Sequence, residues 1–119
     1  VSTPSVTTYT VTVASGSNYY GSGNKYYIGG SVSPTLTLNE GSTYRFDQSD
    51  GSNSTHPLRF STTANGTHGG GSAYTTGVTT SGTAGSSGAY VEITVASGAP
   101  TLYYYCVNHS GMGGQANTP

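Results

Sequence analysis

Glycine, serine and threonine break up every window of this chain in which an amphipathic helix could be written. Each weakens a helix interior, through backbone entropy or by competing for backbone hydrogen bonds. What survives is alternation with a period of two, the mark of a strand with one buried face. Val6 to Ala14 (VTTYTVTVA) puts Tyr9, Val11 and Val13 on one side, and Ser15-Gly16 is expected to end it. Tyr19 to Asn24 reads as a turn-rich connection and Lys25 to Ile28 as a short strand stopped by Gly29-Gly30. Pro34 opens a strand with Leu36 and Leu38 on one face, and a Glu40-Gly41 turn leads into Thr43 to Asp47 with Tyr44 and Phe46 inward. After the polar loop Gln48 to Thr55, the segment HPLRFS gives His56, Leu58 and Phe60 a common, core-facing parity.

From Thr62 to Gly88 little but Gly, Ser and Thr occurs. A segment of that length without regular structure is expected to be a surface excursion, with one short strand at Tyr74 to Thr80. Ala89 to Ala96 places Val91, Ile93 and Val95 on one face, and Gly98 to Pro100 turns the chain into Leu102 to Cys106. A hexapeptide recurs, VTVASG at Val11 to Gly16 and ITVASG at Ile93 to Gly98, too short to make a repeat architecture.

Composition agrees with a folded chain. Charged residues make up 6% and hydrophobic residues 32%, but 11 Tyr and many Thr and Val separate it from disordered sequences. At 119 residues it holds one core, so residues 1–119 form a single all-β sandwich domain. Lys25, Arg45 and Arg59 stand against Glu40, Asp47, Asp50 and Glu92 for a net charge of −1. That balance leaves no basic patch for nucleic acid, so a partner protein would dock on polar and aromatic surface. No segment reads as a membrane span or a signal peptide. The start at Val and the Gly-rich end suggest a processed product or a domain of something longer. Sequons at Asn53, Asn65 and Asn108 are read as coincidence in so Ser- and Thr-rich a chain, and a glycan at Asn108 would crowd the site described next.

The chemistry concentrates in Thr101 to Met112, TLYYYCVNHSGM, which holds the chain's single Cys and single Met with one of its three His. As a strand it turns the Cys106 thiol toward the side of Leu102 and Tyr104, and Asn108, Ser110 and Gly111 favour a turn that folds His109 and Met112 back toward the sulfur. Thiolate, imidazole and thioether form a soft donor set suited to copper, and Cys with two His and a weak axial Met is the blue-copper arrangement. The second imidazole is assigned to His56, on a strand with inward parity, over His68, in Gly-rich loop sequence without a scaffold. Met112 is the expected axial donor, with Gln115 as the alternative. Taken singly, Cys106 could be a buried thiol and Met112 a cap on the core. The Tyr103 to Tyr105 run could form an electron path or a recognition surface, and is read foremost as packing.

The C-x2-H-x2-M spacing resembles the ligand loop of the cupredoxins, nearest to its short amicyanin type, and Ser33 to Ser61 is similar to the first-ligand half of that family's signature. A weaker likeness of texture links the chain to modules of marine phage virion proteins. The resemblance implies a Greek-key sandwich of about seven strands. It further implies one copper ion held by His56, Cys106, His109 and Met112, and one-electron transfer to a redox partner protein with no enzymatic activity. An extracytoplasmic or virion-associated setting follows, periplasmic or secreted as the alternative. Two departures stand out. Pro57, without an N–H, follows the first His where the family often has Asn, while Asn108 precedes the second His and has an N–H that could donate to the sulfur. The GGQANTP tail shows no alternation, so either the family's final strand comes from elsewhere in the chain or from another copy, or the module closes differently. The rival reading is a structural or adhesion module of a virion or cell-surface protein, with copper stabilising or vestigial.

Overall fold

The period-two alternation becomes ten strands in the computed structural model, which describes residues 6–119. In chain order they are β1 (Val6–Asn18), β2 (Gly21–Ile28), β3 (Ser31–Val32), β4 (Leu36–Thr37), β5 (Thr43–Asp47), β6 (Leu58–Ser61), β7 (Val78–Ser81), β8 (Tyr90–Thr94), β9 (Leu102–Cys106) and β10 (Gly114–Asn117). Short 3-10 turns occupy Gly51–Asn53 and Gly66–Gly69. The strands form a six-stranded sheet in the order β3-β2-β1-β5-β8-β7 and a four-stranded sheet in the order β4-β10-β9-β6. Both are mixed: β1 runs parallel to β5, and β10 parallel to β4, among otherwise antiparallel pairs.

One core lies between the sheets. Val11, Tyr26, Phe46, Val91 and Ile93 from the larger sheet meet Leu58, Phe60, Leu102, Tyr104 and Cys106 from the smaller in a single buried cluster. Phe46 and Phe60 cross it edge to face at 5.5 Å between ring centres. The inward parities expected for β5, β6 and β8 hold, as does that of Leu102, Tyr104 and Cys106. Tyr105, on the opposite parity, is buried as well, because Gly66 brings the backbone of its 3-10 turn against the ring where any Cβ would collide.

Several boundaries differ from the sequence reading. Ser15-Gly16 does not end the first strand. β1 runs on to Asn18 and pairs with β2 through Asn18↔Gly21, so the supposed connection shrinks to a turn at Tyr19-Tyr20. Glycine at 16 leaves room for the Tyr27 hydroxyl, which a Cβ would meet at 2.6 Å and push aside. In the Gly-rich excursion, β7 starts at Val78 rather than Tyr74, and Tyr74 is tied by its N–H to the Phe60 carbonyl at 2.6 Å. The strand count exceeds seven mainly because of two-residue strands that backbone pairing alone defines.

The tail is the largest correction. Gly114–Asn117 is a strand, inserted between β4 and β9, with Ala116 alone fully buried. No alternation betrays it, because its order comes from hydrogen bonds on both edges and not from a hydrophobic face. Gly113 enters it under the Tyr104 carbonyl, in a space closed to any side chain. Since among the described residues β4 pairs with nothing but β10, deleting residues 114–119 is expected to abolish cooperative unfolding, as read by urea denaturation followed by circular dichroism; a truncated chain with an unchanged transition would contradict this placement.

Candidate metal centre

His56 is positioned by its backbone more than by its ring. Its N–H donates to the Asn53 carbonyl at 2.8 Å, and its carbonyl accepts from the Tyr26 hydroxyl at 2.6 Å and from Gln48 Nε2 at 2.8 Å. Gln48 Oε1 in turn accepts the Leu58 N–H at 2.9 Å, so one side-chain amide spans Pro57 and fixes where β6 begins. Gln48 Nε2 also reaches Asn53 Oδ1 at 3.1 Å, and Asn53 Nδ2 donates to the Val11 carbonyl at 2.7 Å. Gln48 and Asn53 are both buried. The loop that reads as solvated polar sequence is thus an internal brace, and the sequon at Asn53 lies inside the protein.

Cys106 ends β9 opposite Leu58 and is fully buried. Its Sγ lies 3.7 Å from His56 Nδ1 and 3.7 Å from His109 Nδ1, and the imidazole rings are 4.6 Å apart between centres. The donor atoms of His56, Cys106 and His109 all fall within 4.8 Å of one another. His56 and Cys106 are buried, whereas His109 is exposed. Met112 is buried and lines, together with His109, a cleft of about 360 Å³. Gln115 stands apart: exposed on β10, it donates to Asn117 Oδ1 at 2.6 Å.

The loop from Val107 to Gly113 is gripped on both sides. Asn65, in a left-handed conformation with φ 64°, accepts the Gly111 N–H at 2.8 Å and donates to Ser110 Oγ at 2.8 Å. Lys25 Nζ and Asn18 Nδ2 donate to the Gly111 carbonyl at 2.7 and 2.8 Å. Tyr26 N–H and Ser33 Oγ donate to the Met112 carbonyl at 3.0 and 3.1 Å. Asn108 does not serve the sulfur as expected. Among the described residues neither its N–H nor its side chain bonds to Sγ, whose neighbours are the two imidazole nitrogens and the buried Tyr26 phenol, which burial and then Cys106 push up; Asn108 Nδ2 donates to the Thr55 carbonyl at 2.9 Å, joining this loop to the residue before His56.

His68 lies outside the His56–Cys106–His109 cluster, and it is not an unsupported loop residue. It belongs to the Gly66–Gly69 turn, its Nε2 lies 2.8 Å from the Cys106 carbonyl, and its ring stands edge-on to Tyr105. Of the bracing residues, Gln48, Asn53, Asn65, Asn18 and Lys25 escaped the sequence reading. Lys25 alone carried a signal, as the cation in the otherwise aromatic and aliphatic run Lys25 to Ile28, where its burial lowers the amine's pKa.

Burial, and after it the neighbouring His109, holds the His56 pKa below the ordinary histidine value. As pH falls through about 6.5, an unfolded chain takes up a proton that the folded site resists, so folding stability drops. The metal-free protein is therefore expected to lose stability below about pH 6.5, and His56→Gln to lessen that loss, in urea midpoints measured across the range. Gln48→Ala strands the Leu58 N–H and weakens the hold on the His56 carbonyl; a loss of about 2–4 kcal/mol in urea unfolding is expected, and one within 0.5 kcal/mol of zero (about the scatter of a neutral surface change) would show that the brace carries no load.

No protein family, curated protein or solved structure matches the chain, and what the centre does follows from its own donor atoms.

Proposed function

We propose that this protein is a type 1 copper protein of the cupredoxin kind, a Greek-key sandwich that passes single electrons through one copper ion. His56, Cys106 and His109 would hold the ion, with Met112 as the weak axial donor. The observation that carries this reading is the convergence of one sulfur and two Nδ1 atoms, from residues fifty positions apart, at 3.7 Å on each S–N edge. Metal–nitrogen bonds of about 2.0–2.1 Å and metal–sulfur bonds of about 2.3 Å, taken from zinc sites, put N and S about 3.6–3.8 Å apart at trigonal to tetrahedral angles. The donors therefore stand at ion-sharing distance in a soft set that favours copper.

Bound there, copper would supply a one-electron couple. The chain's own contribution is to keep the donors from moving. Two backbone acceptor bonds at His56, the strand end at Cys106 and the gripped carbonyls of Gly111 and Met112 fix the donors in advance of metal. His56, Cys106 and Met112 are closed to solvent, which leaves the exposed His109 as the short route for an electron to a partner, with Val107, 41% exposed, as apolar surface beside it. Met112 would take the fourth place, and His56, Cys106 and Met112 are buried, so the reading is a carrier and not an oxidase.

The rival, a structural or adhesion module, keeps the fold and uses metal for stability. It is favoured by the same spacing, which suits tetrahedral zinc equally well. Titrating the metal-free protein with Cu(II) is expected to give an intense thiolate-to-copper charge-transfer band in the visible that cycles reversibly on reduction and disappears in Cys106→Ala. Colourless binding, or zinc displacing copper at equal concentration, would favour the structural reading.

A further inference from the structure

A second cleft, of about 420 Å³, opens between the tip of the β1–β2 hairpin and β9–β10, away from the ligand imidazoles. Tyr19, Tyr20 and Tyr103 line it. Tyr19 is 96% exposed and Tyr20 38%, their rings perpendicular at 5.3 Å. Tyr103 on β9 is half-buried. Burial, followed by the nearby Tyr103 and Tyr19 hydroxyls, pushes the Tyr20 phenol up, which is a further sign that the three phenols converge. A tyrosine ring left almost wholly in water at a turn forfeits the large burial that aromatic residues usually contribute. Grouped exposed rings beside a cleft mark a binding surface.

The rest of the lining is neutral. Thr35 and Gln115 add a hydroxyl and an amide at the rim, and none of the chain's seven charged residues contributes. The floor is fixed, because Asn18 Oδ1 accepts the Tyr20 N–H at 2.8 Å while its Nδ2 holds the Gly111 carbonyl. Among the described residues, the hydroxyls of Tyr19, Tyr20, Tyr103 and Thr35 take part in no hydrogen bond, so donors and acceptors remain for a ligand. Nucleic-acid bases also stack on tyrosine, but a strand would bring phosphates, and no cation lines the cleft to meet them. An extended proline-rich peptide docks along an aromatic-lined groove, whereas the Tyr19 and Tyr20 rings stand perpendicular to each other at the hairpin tip.

We propose that this cleft is a binding site for a neutral saccharide, with pyranose C–H faces against Tyr19 and Tyr20 and ring hydroxyls bonded to Tyr103, Thr35 and Gln115. The volume falls in the range of small-ligand sites and suits a terminal sugar unit or two. The assignment is independent of whether the metal centre holds copper.

The test is saturation-transfer NMR of the full chain with a panel of neutral oligosaccharides: trimers of glucose in α and β linkage, mannose, galactose and N-acetylglucosamine. At least one is expected to bind with Kd of about 1 mM or tighter, and Tyr19→Ala to weaken it about tenfold. Tyr103→Ala should act in the same direction. Because Tyr19 touches so little of the protein, its variant should keep the parent unfolding curve, so lost binding reports on the site. The proposal is overturned if no member of the panel binds at about 10 mM. It is equally overturned if both variants bind like the parent, if sulfated or sialylated sugars bind tighter, or if a proline-rich peptide or a second copy of the chain occupies the cleft while the sugars do not.

Discussion

The backbone on either side of Pro57 has polar groups that no strand can satisfy, and the side chain of Gln48 satisfies them. A buried carbonyl or N–H without a partner costs as much as a lost hydrogen bond or more, so a proline in this place demands an outside donor and acceptor. Gln48 provides both, bonding the His56 carbonyl and the Leu58 N–H with one amide. Asn53 and Tyr26 complete the brace by tying it to β1 and β2 of the opposite sheet. The His56 ring is consequently set by the joint between the two sheets, so sheet packing and donor geometry are a single arrangement.

The loop from Val107 to Gly113 is held on the same plan. Carbonyls at Gly111 and Met112 would be orphaned in a bare turn, and side chains from β1, β2 and the segment after β3 reach them. Lys25 is the unusual member, a cation 3% exposed whose described partner is a carbonyl rather than a carboxylate. Asn65 adds a grip from the other side. Donors drawn from far along the chain thus converge without any one segment having to be rigid by itself.

What could be read in advance follows from this division of labour. Strand parity is a local property, so the inward faces of β5, β6, β8 and β9 were legible in the alternation of Tyr44 and Phe46, Leu58 and Phe60, Val91 and Ile93, and Leu102, Tyr104 and Cys106. The close approach of His56, Cys106 and His109 was legible in their spacing and side-chain chemistry. The bracing amides were not, because Gln and Asn in a polar loop look the same whether they face water or a buried carbonyl. β10 was hidden for a related reason: its one buried side chain, Ala116, leaves no pattern, and its position is set by partners on both edges. The reason Tyr105 is buried on the outward parity was not legible, because the glycine that admits its ring lies in a different part of the chain.

The loop that carries His109 and Met112 joins β9 to β10, neighbours in the same sheet. Its two ends are therefore fixed by ladder hydrogen bonds whatever lies between them. Lengthening a connection whose ends are already held costs little, about 0.6 kcal/mol for each doubling of a flexible loop. The spacing of His109 and Met112 from Cys106 can accordingly drift by insertion or deletion while the sandwich beneath stays as it is, which makes this hairpin the place where such a scaffold can vary the side chains gathered at its end without having to fold anew.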